Sequence, residues 1–478
     1  MAVTNSEAYT ERLKQISPRV FILGEKVDQV WNHPLFRSSI NQLSKTYDYA
    51  FDPKHREHAI VHSPLVDEPV RRLGIHIQTS KEDSLLKVKM TREICAERLC
   101  TQCMSNTMSS VWCATYDAEE KYGEPYHQRF VEFIKYLQKT DKAMAWGMMD
   151  PKGDRRLKAS EQKPFCDMRI VERNAKGIVV TGAKAHTTLG PVCEEIVVAP
   201  CRSLTAEDKD FAVSFAIPVD TQGVTFICRP APGSRTPMNM EKPIGSSIGA
   251  VEAMTVFQDV FVPWDRVFLC GEWDMNDRVP MYFAGIHRQS KCACLAGHTD
   301  LIIGIAALTA RVNGLDMKAT HIRDKITRLM IDAEAAYGCS LGAGEEGHHH
   351  PSGVWVPDFR IANAGLNNIR SQVGNHLAAL HDIAGGVIVT MPTEHSYNHP
   401  ELKELMDVYF QGGQNYTTKE RLRALHLCQE VCASNFTGYF LGWAINAAGS
   451  LQTNEMAVRA AYDLEKRVNI AKGYAQIA

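Results

Sequence analysis

A β-strand is predicted for the stretch Ala253-Met-Thr-Val-Phe-Gln-Asp-Val-Phe261, which is rich in valine, phenylalanine and threonine. Similar short runs precede it from about residue 143 onward, and Gly, Pro, Asp and Asn separate them. Short strands divided by turn residues are typical of an antiparallel barrel or sandwich. The other predicted strands are Met168-Arg-Ile-Val-Glu172, Gly177-Ile-Val-Val-Thr181, Glu195-Ile-Val-Val-Ala199, Ala212-Val-Ser-Phe-Ala-Ile217 and Val224-Thr-Phe-Ile-Cys228.

Both flanks of this β-rich segment have a helical pattern. Apolar residues recur at three- and four-residue spacing before it, as in Arg129-Phe-Val-Glu-Phe-Ile-Lys-Tyr-Leu-Gln138. The same spacing returns after it, in Leu301-Ile-Ile-Gly-Ile-Ala-Ala-Leu308 and from Ile322 to Tyr337. We therefore predict an α+β fold with three domains. They are an N-terminal helical domain (1–142), a central antiparallel β domain (143–275) and a C-terminal helical bundle (276–478).

The composition is that of a globular protein. The 478 residues are 45% hydrophobic and 23% charged, which is enough material for a large core. The formal net charge of −2 provides no general field for nucleic acid or an anionic membrane, so we expect neither as a partner. The polar start, Met1 to Leu13, lacks the apolar run of a signal peptide, and no window approaches the roughly 18 uninterrupted apolar residues of a membrane span. These features predict a cytoplasmic location.

Fourteen cysteines are expected to be reduced, because disulfides persist mainly in oxidising compartments. A reduced cysteine is either a small buried hydrophobe or a ligand for a metal. Five of them lie in strand-like apolar surroundings and are predicted to belong to the core: Cys166, Cys193, Cys201, Cys228 and Cys270.

Two pairs of potential metal ligands have helical spacing. Cys100 and Cys103 are three residues apart in the first domain, and His287 and Cys294 are seven apart at the start of the third. Because each pair shares a helix face, the two helices could supply four ligands to an iron–sulfur cluster or a zinc ion. Spacing alone leaves ordinary core residues as the alternative, and His348-His-His350 is predicted to be a solvated loop, with a metal site as its alternative. The rival ligands are Cys95, Cys113, Cys292 and His298.

Five motifs are spread over nearly the whole chain. They are Val111-Trp-Cys-Ala-Thr-Tyr-Asp-Ala-Glu-Glu-Lys-Tyr-Gly123, Met149-Asp-Pro-Lys-Gly-Asp-Arg155, Gly182-Ala-Lys-Ala-His-Thr-Thr188, Val260-Phe-Val-Pro-Trp-Asp-Arg-Val-Phe268, and His381-Asp-Ile-Ala-Gly-Gly386 with Thr390-Met-Pro392. Together they resemble the 4-hydroxyphenylacetate 3-monooxygenase and 4-hydroxybutyryl-CoA dehydratase superfamily. The resemblance implies an acyl-CoA-dehydrogenase-like architecture, bound FAD, and a homotetramer with flavin sites between subunits.

The two branches of this superfamily differ in metal content. Monooxygenases lack a metal cluster, whereas the dehydratase branch holds a 4Fe-4S cluster on two cysteines of the first domain and a histidine and cysteine, seven apart, of the third. The resemblance to that branch implies active-site roles for Gln102 and for Glu252, which precedes His287 by thirty-five residues. The implied cluster ligands are Cys100, Cys103, His287 and Cys294.

This branch implies a lyase that dehydrates a 4-hydroxyacyl-CoA thioester by a radical mechanism, related to the conversion of 4-hydroxybutyryl-CoA to crotonyl-CoA, with or without Δ-isomerase activity. His287 would be both a cluster ligand and a base, and Glu252 a second proton-transfer group. One alternative is a two-component FAD-dependent aromatic hydroxylase. Another is a dehydratase of the same class with a different substrate. A non-catalytic scaffold is disfavoured by the polar flavin-type loops.

The chain departs from the dehydratase pattern at several positions. Two residues rather than three separate Cys100 from Cys103, and Lys291 and Leu295 replace a tyrosine and a lysine that lie near the substrate in the family. Lys291 is predicted to favour a more anionic substrate or to pair with Glu252. For a second catalytic carboxylate, Glu455 is the nearest candidate.

Two polar segments are implied to bind the flavin. The loop with Asp150, Lys152, Gly153, Asp154 and Arg155 would follow the edge of the flavin ring, where backbone donors suit its polar atoms. His186, Thr187 and Thr188 would line the isoalloxazine, and Arg421 and Arg423 are candidates for the pyrophosphate. The alternatives are two polar turns between strands and arginines that contact only water.

Overall fold

The computed structural model describes residues 3–98, 104–235 and 240–477. In this part of the chain a helical segment leads into β-strands, and helices follow to the end. The helices are α1 (Ser6–Leu13), α2 (Arg37–Asp48), α3 (Arg56–Ala59), α4 (Lys81–Arg98), α5 (Met104–Tyr122), α6 (Tyr126–Thr140), α7 (Arg278–Val312), α8 (Thr320–Glu345), α9 (Phe359–Ala384), α10 (Val387–Thr390), α11 (Glu394–Asn398), α12 (Pro400–Tyr409), α13 (Thr418–Cys432), α14 (Asn435–Asn446), α15 (Leu451–Ala461) and α16 (Leu464–Ala475). The strands are β1 (Val20–Ile22), β2 (Glu25–Val27), β3 (Ile60–Ser63), β4 (Glu68–Arg71), β5 (Met144–Gly147), β6 (Arg169–Asn174), β7 (Gly177–Lys184), β8 (Glu195–Val198), β9 (Val213–Pro218), β10 (Val224–Arg229), β11 (Glu252–Pro263), β12 (Val267–Cys270), β13 (His348–His349) and β14 (Trp355–Val356).

All six predicted strands are confirmed, and β11 is the longest of them. Its residues alternate between buried and exposed until a bulge between Phe257 and Val260, where Asp259 takes a left-handed φ of 50°. A bulge adds one residue to one strand and bends it, which interrupts the alternation that marks a half-buried strand. The strand therefore curves across the middle of its sheet, between β10 and β7.

The central region contains two sheets, and both are mixed rather than antiparallel. A six-stranded sheet has the order β2-β1-β10-β11-β7-β6, and a four-stranded sheet has the order β12-β9-β8-β5. The antiparallel prediction is wrong at two pairs, because β1 runs parallel to β10 and β5 runs parallel to β8. Each parallel partner is a strand of three or four residues that arrives from the N-terminal helices, too short to give a periodic signal.

The N-terminal 142 residues are not wholly helical, which corrects that prediction. They contribute β1 and β2 to the central sheet, and β3 and β4 form a separate hairpin. Because Val20 and Ile22 of β1 lie in the same hydrophobic core as the sheet, this region and the β region share a core. The domain boundaries at 142 and 275 stay predictions.

Helix α7 is the structural axis of the helical bundle. It packs against α4, α5, α8 and α9, and apolar residues bury it on most sides. By length and composition the segment Trp273–Val312 could span a membrane, but 67% of its most apolar window is buried inside the protein. The burial identifies it as a core helix of this fold.

The cysteine predictions are confirmed only in part. All twelve cysteines in the described residues are free thiols, and Cys193 and Cys228 are buried in the core as predicted. Cys270 is partly buried and packs against the core, whereas Cys166 and Cys201 are partly buried among polar neighbours, so the assignment of these two to the core is wrong. The thiol of Cys201, for example, donates a hydrogen bond of 3.1 Å to Asp150 Oδ2.

Candidate active site

A cavity of about 200 Å³ opens where the N-terminal helices, the β region and the helical bundle meet. Its wall is mainly apolar, with methionines, a tryptophan and a phenylalanine, and a few polar groups converge on it. Such a mixture is usual in sites that bind a small molecule or cofactor. The lining residues are Met104, Thr107, Met144, Trp146, Met148, Met149, His186, Thr188, Phe283, His287 and Asn446 to Gly449.

His287 contributes the imidazole of this wall from α7. Its ring stacks on Phe283 one turn earlier, with ring centroids 4.4 Å apart and an interplanar angle of 12°. Asn106 Nδ2 of α5 lies 3.5 Å from His287 Nδ1. Burial, reinforced by the charge of Lys291, lowers the pKa of His287 to about 3. The imidazole is therefore neutral near pH 7, which is the form that ligates metals.

Cys294 lies two turns further along the same helix and is buried. Its Sγ is 4.0 Å from Nε2 of His298, and the ligand atoms of Cys95, Cys294 and His298 all lie within 4.8 Å of one another. A hydrogen bond from Cys95 holds the pKa of Cys294 well below its usual range against the opposing effect of burial, and Lys291 and His298 lower it further. A thiolate is thus favoured here, and the thiolate is the ligand form of cysteine.

The predicted cluster ligands are only partly described. His287 and Cys294 lie on one helix, as predicted, and the charge of Cys294 acts to raise the pKa of His287. Cys100, Cys103 and the predicted catalytic Gln102 lie outside the described residues. Two of the rival ligands, Cys95 and His298, lie beside Cys294, whereas Cys292 faces α9 and donates to the carbonyl of Ala362 at 3.3 Å.

Lys291 is buried between a sulfur and an aromatic ring. Its Nζ donates to Cys294 Sγ at 3.8 Å and lies 3.8 Å from the centroid of Trp443, a cation–π arrangement. These contacts hold the ammonium group of Lys291 beside the sulfur of Cys294. Leu295 lies in the hydrophobic core of the bundle with 1% of its surface exposed, so its predicted place near a substrate is wrong.

The hydroxyl of Thr188 links Glu252 to the cavity wall. Thr188, which lines the wall, donates a hydrogen bond of 2.8 Å to Glu252 Oε2. Burial raises the pKa of Glu252 to about 7, although the Thr188 bond favours the charged form and acts in the opposite direction. The carboxyl group is therefore able both to accept and to donate a proton near neutral pH.

The predicted flavin loop is held from beneath by a buried ion pair. Asp150 Oδ1 lies 2.6 Å from Lys184 Nζ, which also donates to two backbone carbonyls. Lys152 has a left-handed φ of 72°, and Gly153 follows it with a φ of 48°. Asp150 thus anchors the loop from inside. Gly153, Asp154 and Arg155 lie exposed at its tip.

The second predicted flavin segment divides between wall and core. His186 and Thr188 line the cavity, and His186 is exposed. Thr187 is buried and accepts a hydrogen bond of 2.8 Å from Thr255, so it supports β11 rather than the cavity. The buried indole Nε1 of Trp146, another wall residue, has no hydrogen-bond partner among the described residues. An unsatisfied donor in this wall suits a ligand with polar acceptor atoms.

Two buried arginines that the sequence did not reveal hold the remaining wall. Arg288 Nε donates to Ala448 O at 3.0 Å, and Arg370 donates to the carbonyls of Gly449, at 3.0 Å, and Ala447. We call this contact the arginine clamp. Burial lowers the pKa of each arginine to about 10. Ala448 has a φ of 73°, so the clamped turn is locally strained.

Other sequence predictions fall outside this cavity. Glu455 is exposed on α15, so it is not a buried second carboxylate. Arg421 binds Asn313 and the carbonyl of Gln411, and Arg423 is exposed. The histidine run is not a solvated loop: its first two residues form β13, and buried His350 lies 3.1 Å from Asp117.

Comparisons with known proteins identify the family of this chain. Family models described as 4-hydroxyphenylacetate 3-hydroxylase N terminal and C terminal match residues 5–269 and 277–476. The chain belongs to the 4-hydroxyphenylacetate 3-hydroxylase family.

Within this family the chain is similar to dehydratases. It is 34% identical over 491 residues to the 4-hydroxybutyryl-CoA dehydratase/vinylacetyl-CoA-Δ-isomerase of Clostridium aminobutyricum, with 99% of each chain covered. The solved structure of an oxygen-tolerant archaeal 4-hydroxybutyryl-CoA dehydratase from N. maritimus superposes with a TM-score of 0.95 at 32% identity, covering 100% of this chain and 95% of that one. A 4-hydroxyphenylacetate 3-monooxygenase oxygenase component solved with FAD has the same fold, with a TM-score of 0.88 at 23% identity and 98% of each chain covered. The predicted resemblance and the mixed α+β fold are confirmed.

Proposed function

We propose that this protein is a dehydratase that uses FAD and a 4Fe-4S cluster to act on a 4-hydroxyacyl-CoA thioester, with 4-hydroxybutyryl-CoA as the leading substrate and isomerase activity as an accompanying reaction. One observation supports it most strongly. His287 and Cys294 lie on one helix face; His287 is in the cavity wall with a pKa of about 3, and Cys294 is buried with a pKa held well below its usual range by a hydrogen bond from Cys95. A neutral imidazole and a thiolate are the protonation states that an iron–sulfur cluster needs in its ligands.

The donor set fits the cluster. Cys100 and Cys103 complete it in our proposal; in the sequence they fall between α4 and α5, both of which pack on α7. When bound, the flavin supplies one-electron chemistry and the cluster supplies a Lewis acid for the leaving hydroxyl. Lys291 Nζ, at 3.8 Å from Cys294 Sγ, offsets negative charge on the ligand sulfur.

The flavin fits the other side of the cavity. His186 and Thr188 offer polar contacts to an isoalloxazine ring, and Trp146 offers an unsatisfied N–H. The exposed tip with Gly153, Asp154 and Arg155 presents backbone donors to a polar ring edge. Asp150 acts beneath that tip by holding Lys184.

Side chains of this protein transfer the protons in the proposed reaction. In our proposal His287 is also the base for the carbon next to the thioester carbonyl, whose acidity that carbonyl increases, and it takes this role only when its imidazole is not held as a cluster ligand. Glu252, with a pKa of about 7, is placed to carry a second proton, and Thr188 fixes the direction of its carboxylate. Apolar residues such as Met148 and Phe283 exclude water from the reacting carbons.

We also propose a homotetramer. Helix α16 buries none of its residues against the rest of the chain. Leu464, Ile470 and Tyr474 on it are 63%, 51% and 90% exposed. Apolar groups of this size on one terminal helix suit burial against another subunit. Light scattering of the purified protein measures the assembly directly.

The test of the function starts from protein purified without oxygen. We expect about four iron atoms and bound FAD per chain. Incubation with 4-hydroxybutyryl-CoA and with vinylacetyl-CoA should produce crotonyl-CoA. Turnover of a phenol with reduced flavin and oxygen, in iron-free protein that leaves both thioesters unchanged, would identify a two-component hydroxylase instead. An intact cluster without turnover of either thioester would reject this substrate.

A further inference from the structure

Helices α4 and α7 approach each other unusually closely at Gly297. A Cβ at this position would collide with the backbone carbonyl of Arg92 and lie 3.0 Å from Cys95 Cβ. Only glycine therefore permits this crossing. The consequence is that Cys95 of α4 lies directly against the face of α7 that carries Cys294 and His298.

Three soft or borderline ligands meet at this crossing. The two sulfurs and one imidazole nitrogen lie within 4.8 Å of one another, and Cys294 Sγ is 4.0 Å from His298 Nε2. Around a tetrahedral zinc ion the corresponding ligand atoms are separated by roughly 3.6 to 3.8 Å, from the usual zinc–sulfur and zinc–nitrogen bond lengths. A contraction of up to about 1 Å between the ligand atoms would close the set on one ion.

The surroundings suit a metal held by two thiolates. All three side chains are buried, and His298 is packed against the rings of Phe440, at 5.3 Å, and Trp443, at 5.1 Å. A divalent ion with two thiolates and a neutral imidazole has no net charge, which reduces the penalty of burying it beside Lys291, whose Nζ donates to Cys294 Sγ at 3.8 Å. The neighbouring thiol of Cys292 points away, toward Ala362 of α9.

We propose that Cys95, Cys294 and His298 form a binding site for one divalent metal ion of the zinc class. The site shares Cys294 with the cluster of the proposed function, on which this part of the inference rests, so the ion and the cluster exclude each other. The ion binds the protein when the cluster is absent. It holds α4 against α7, beside the segment that carries Cys100 and Cys103.

Cobalt titration tests the site. The probe is Co²⁺ added without oxygen to full-length, cluster-free protein, with thiolate-to-cobalt absorption as the signal and Zn²⁺ as the competitor. We expect one Co²⁺ per chain, and binding weakened about 100-fold or more in Cys95→Ala and in His298→Gln. Cys292→Ala, a buried cysteine on the same helix, should bind as the parent does. Cobalt affinity unchanged in Cys95→Ala or His298→Gln, or no thiolate signal in the parent, overturns the proposal.

Circular dichroism melting shows whether each variant is folded. If Cys95→Ala is unfolded, Cys95→Ser is used in its place. Cys100→Ala should bind Co²⁺ normally and fail to hold iron, whereas Cys95→Ala should hold iron. Iron lost from Cys95→Ala and kept in Cys100→Ala would overturn the cluster ligands of the proposed function and leave the cobalt result intact.

Iron uptake by zinc-loaded protein tests whether the divalent ion and the cluster exclude each other. Parent protein loaded with one equivalent of Zn²⁺ should take up less iron during cluster reconstitution, and Cys95→Ala should not show this inhibition. Full iron uptake by the zinc-loaded parent, with zinc retained, contradicts the sharing of Cys294.

Discussion

The hydroxyl of Thr188 and the carboxylate of Glu252 are joined by a hydrogen bond of 2.8 Å across the edge of the cavity. Thr188 follows β7, and Glu252 begins β11, its neighbour in the sheet. The pair therefore fixes a buried carboxyl group, whose pKa of about 7 lies in the physiological range, at a defined point of the wall.

Replacing Glu252 with glutamine should flatten the dependence of stability on pH. Burial raises the pKa of Glu252 from 4.5 to about 7, so the folded protein binds this proton more tightly than the unfolded chain. Stability from this group is present below pH 4.5 and is lost as pH rises through about 7, by at most about 3 kcal/mol. Urea unfolding at pH 5 and pH 8 measures the difference. Parallel pH profiles for the parent and Glu252→Gln would show that the carboxyl group is not perturbed.

Thr188→Val should move the pH profile of turnover. Without the hydroxyl, the charged carboxylate loses a donor and the pKa of Glu252 rises further, so the acid limb of kcat/KM shifts upward by up to about one pH unit. Thr187→Val is the matched control, because Thr187 bonds to Thr255 instead. An equal shift in both variants would assign the effect to packing.

Lys291→Met should lower the reduction potential of the cluster. Lys291 Nζ donates to Cys294 Sγ at 3.8 Å, and a cation beside a ligand sulfur stabilises the more negative, reduced state. We expect a decrease on the order of tens of millivolts in an anaerobic redox titration. Lys291→Arg, which keeps the charge, should change the potential less. A potential that is the same in all three proteins would remove Lys291 from this role.

Arg370→Leu should destabilise the protein and widen the cavity wall. The substitution leaves the partly buried carbonyls of Ala447 and Gly449 without their donor, at a loss of about 1 to 3 kcal/mol. KM for the thioester or the affinity for flavin should weaken together with stability. Arg421→Leu removes an arginine from Asn313 and the carbonyl of Gln411, so it should reduce stability alone. If Arg421→Leu bound flavin more weakly than the parent, the result would support the predicted contact of Arg421 with the pyrophosphate.

Local patterns predicted most of the elements, and long-range pairing explains what they missed. The strand at residues 253–261 and the shared helix of His287 and Cys294 follow from periodicity, which depends on neighbours in sequence. The parallel pairing of β1 with β10 joins residues about 200 positions apart, and nothing local encodes it. His186 and Thr188 line the cavity, and their predicted contact with the flavin stays a prediction.

Buried polar residues were the hardest to predict. Arg288 and Arg370 resemble ordinary helix arginines until the turn they bind is in place. Asp150 was assigned to the flavin, yet its partner is Lys184 on β7, thirty-four residues later. A charged side chain in a sequence gives no sign of whether a distant partner will compensate it. For the same reason Glu455, an acidic residue at a plausible position, proved to be exposed.

The arginine clamp makes the shape of the site independent of its protonation. With pKa values of about 10, both guanidinium groups stay charged across the range in which Glu252 titrates, so Ala447 to Gly449 keep their donors at every pH of interest. A change in acidity therefore alters how many protons the site holds while the contour that a substrate meets stays constant. Selectivity between substrates should therefore be the same in acidic and alkaline buffer, although Glu252 and the cavity-wall imidazole of His186 both change their protonation.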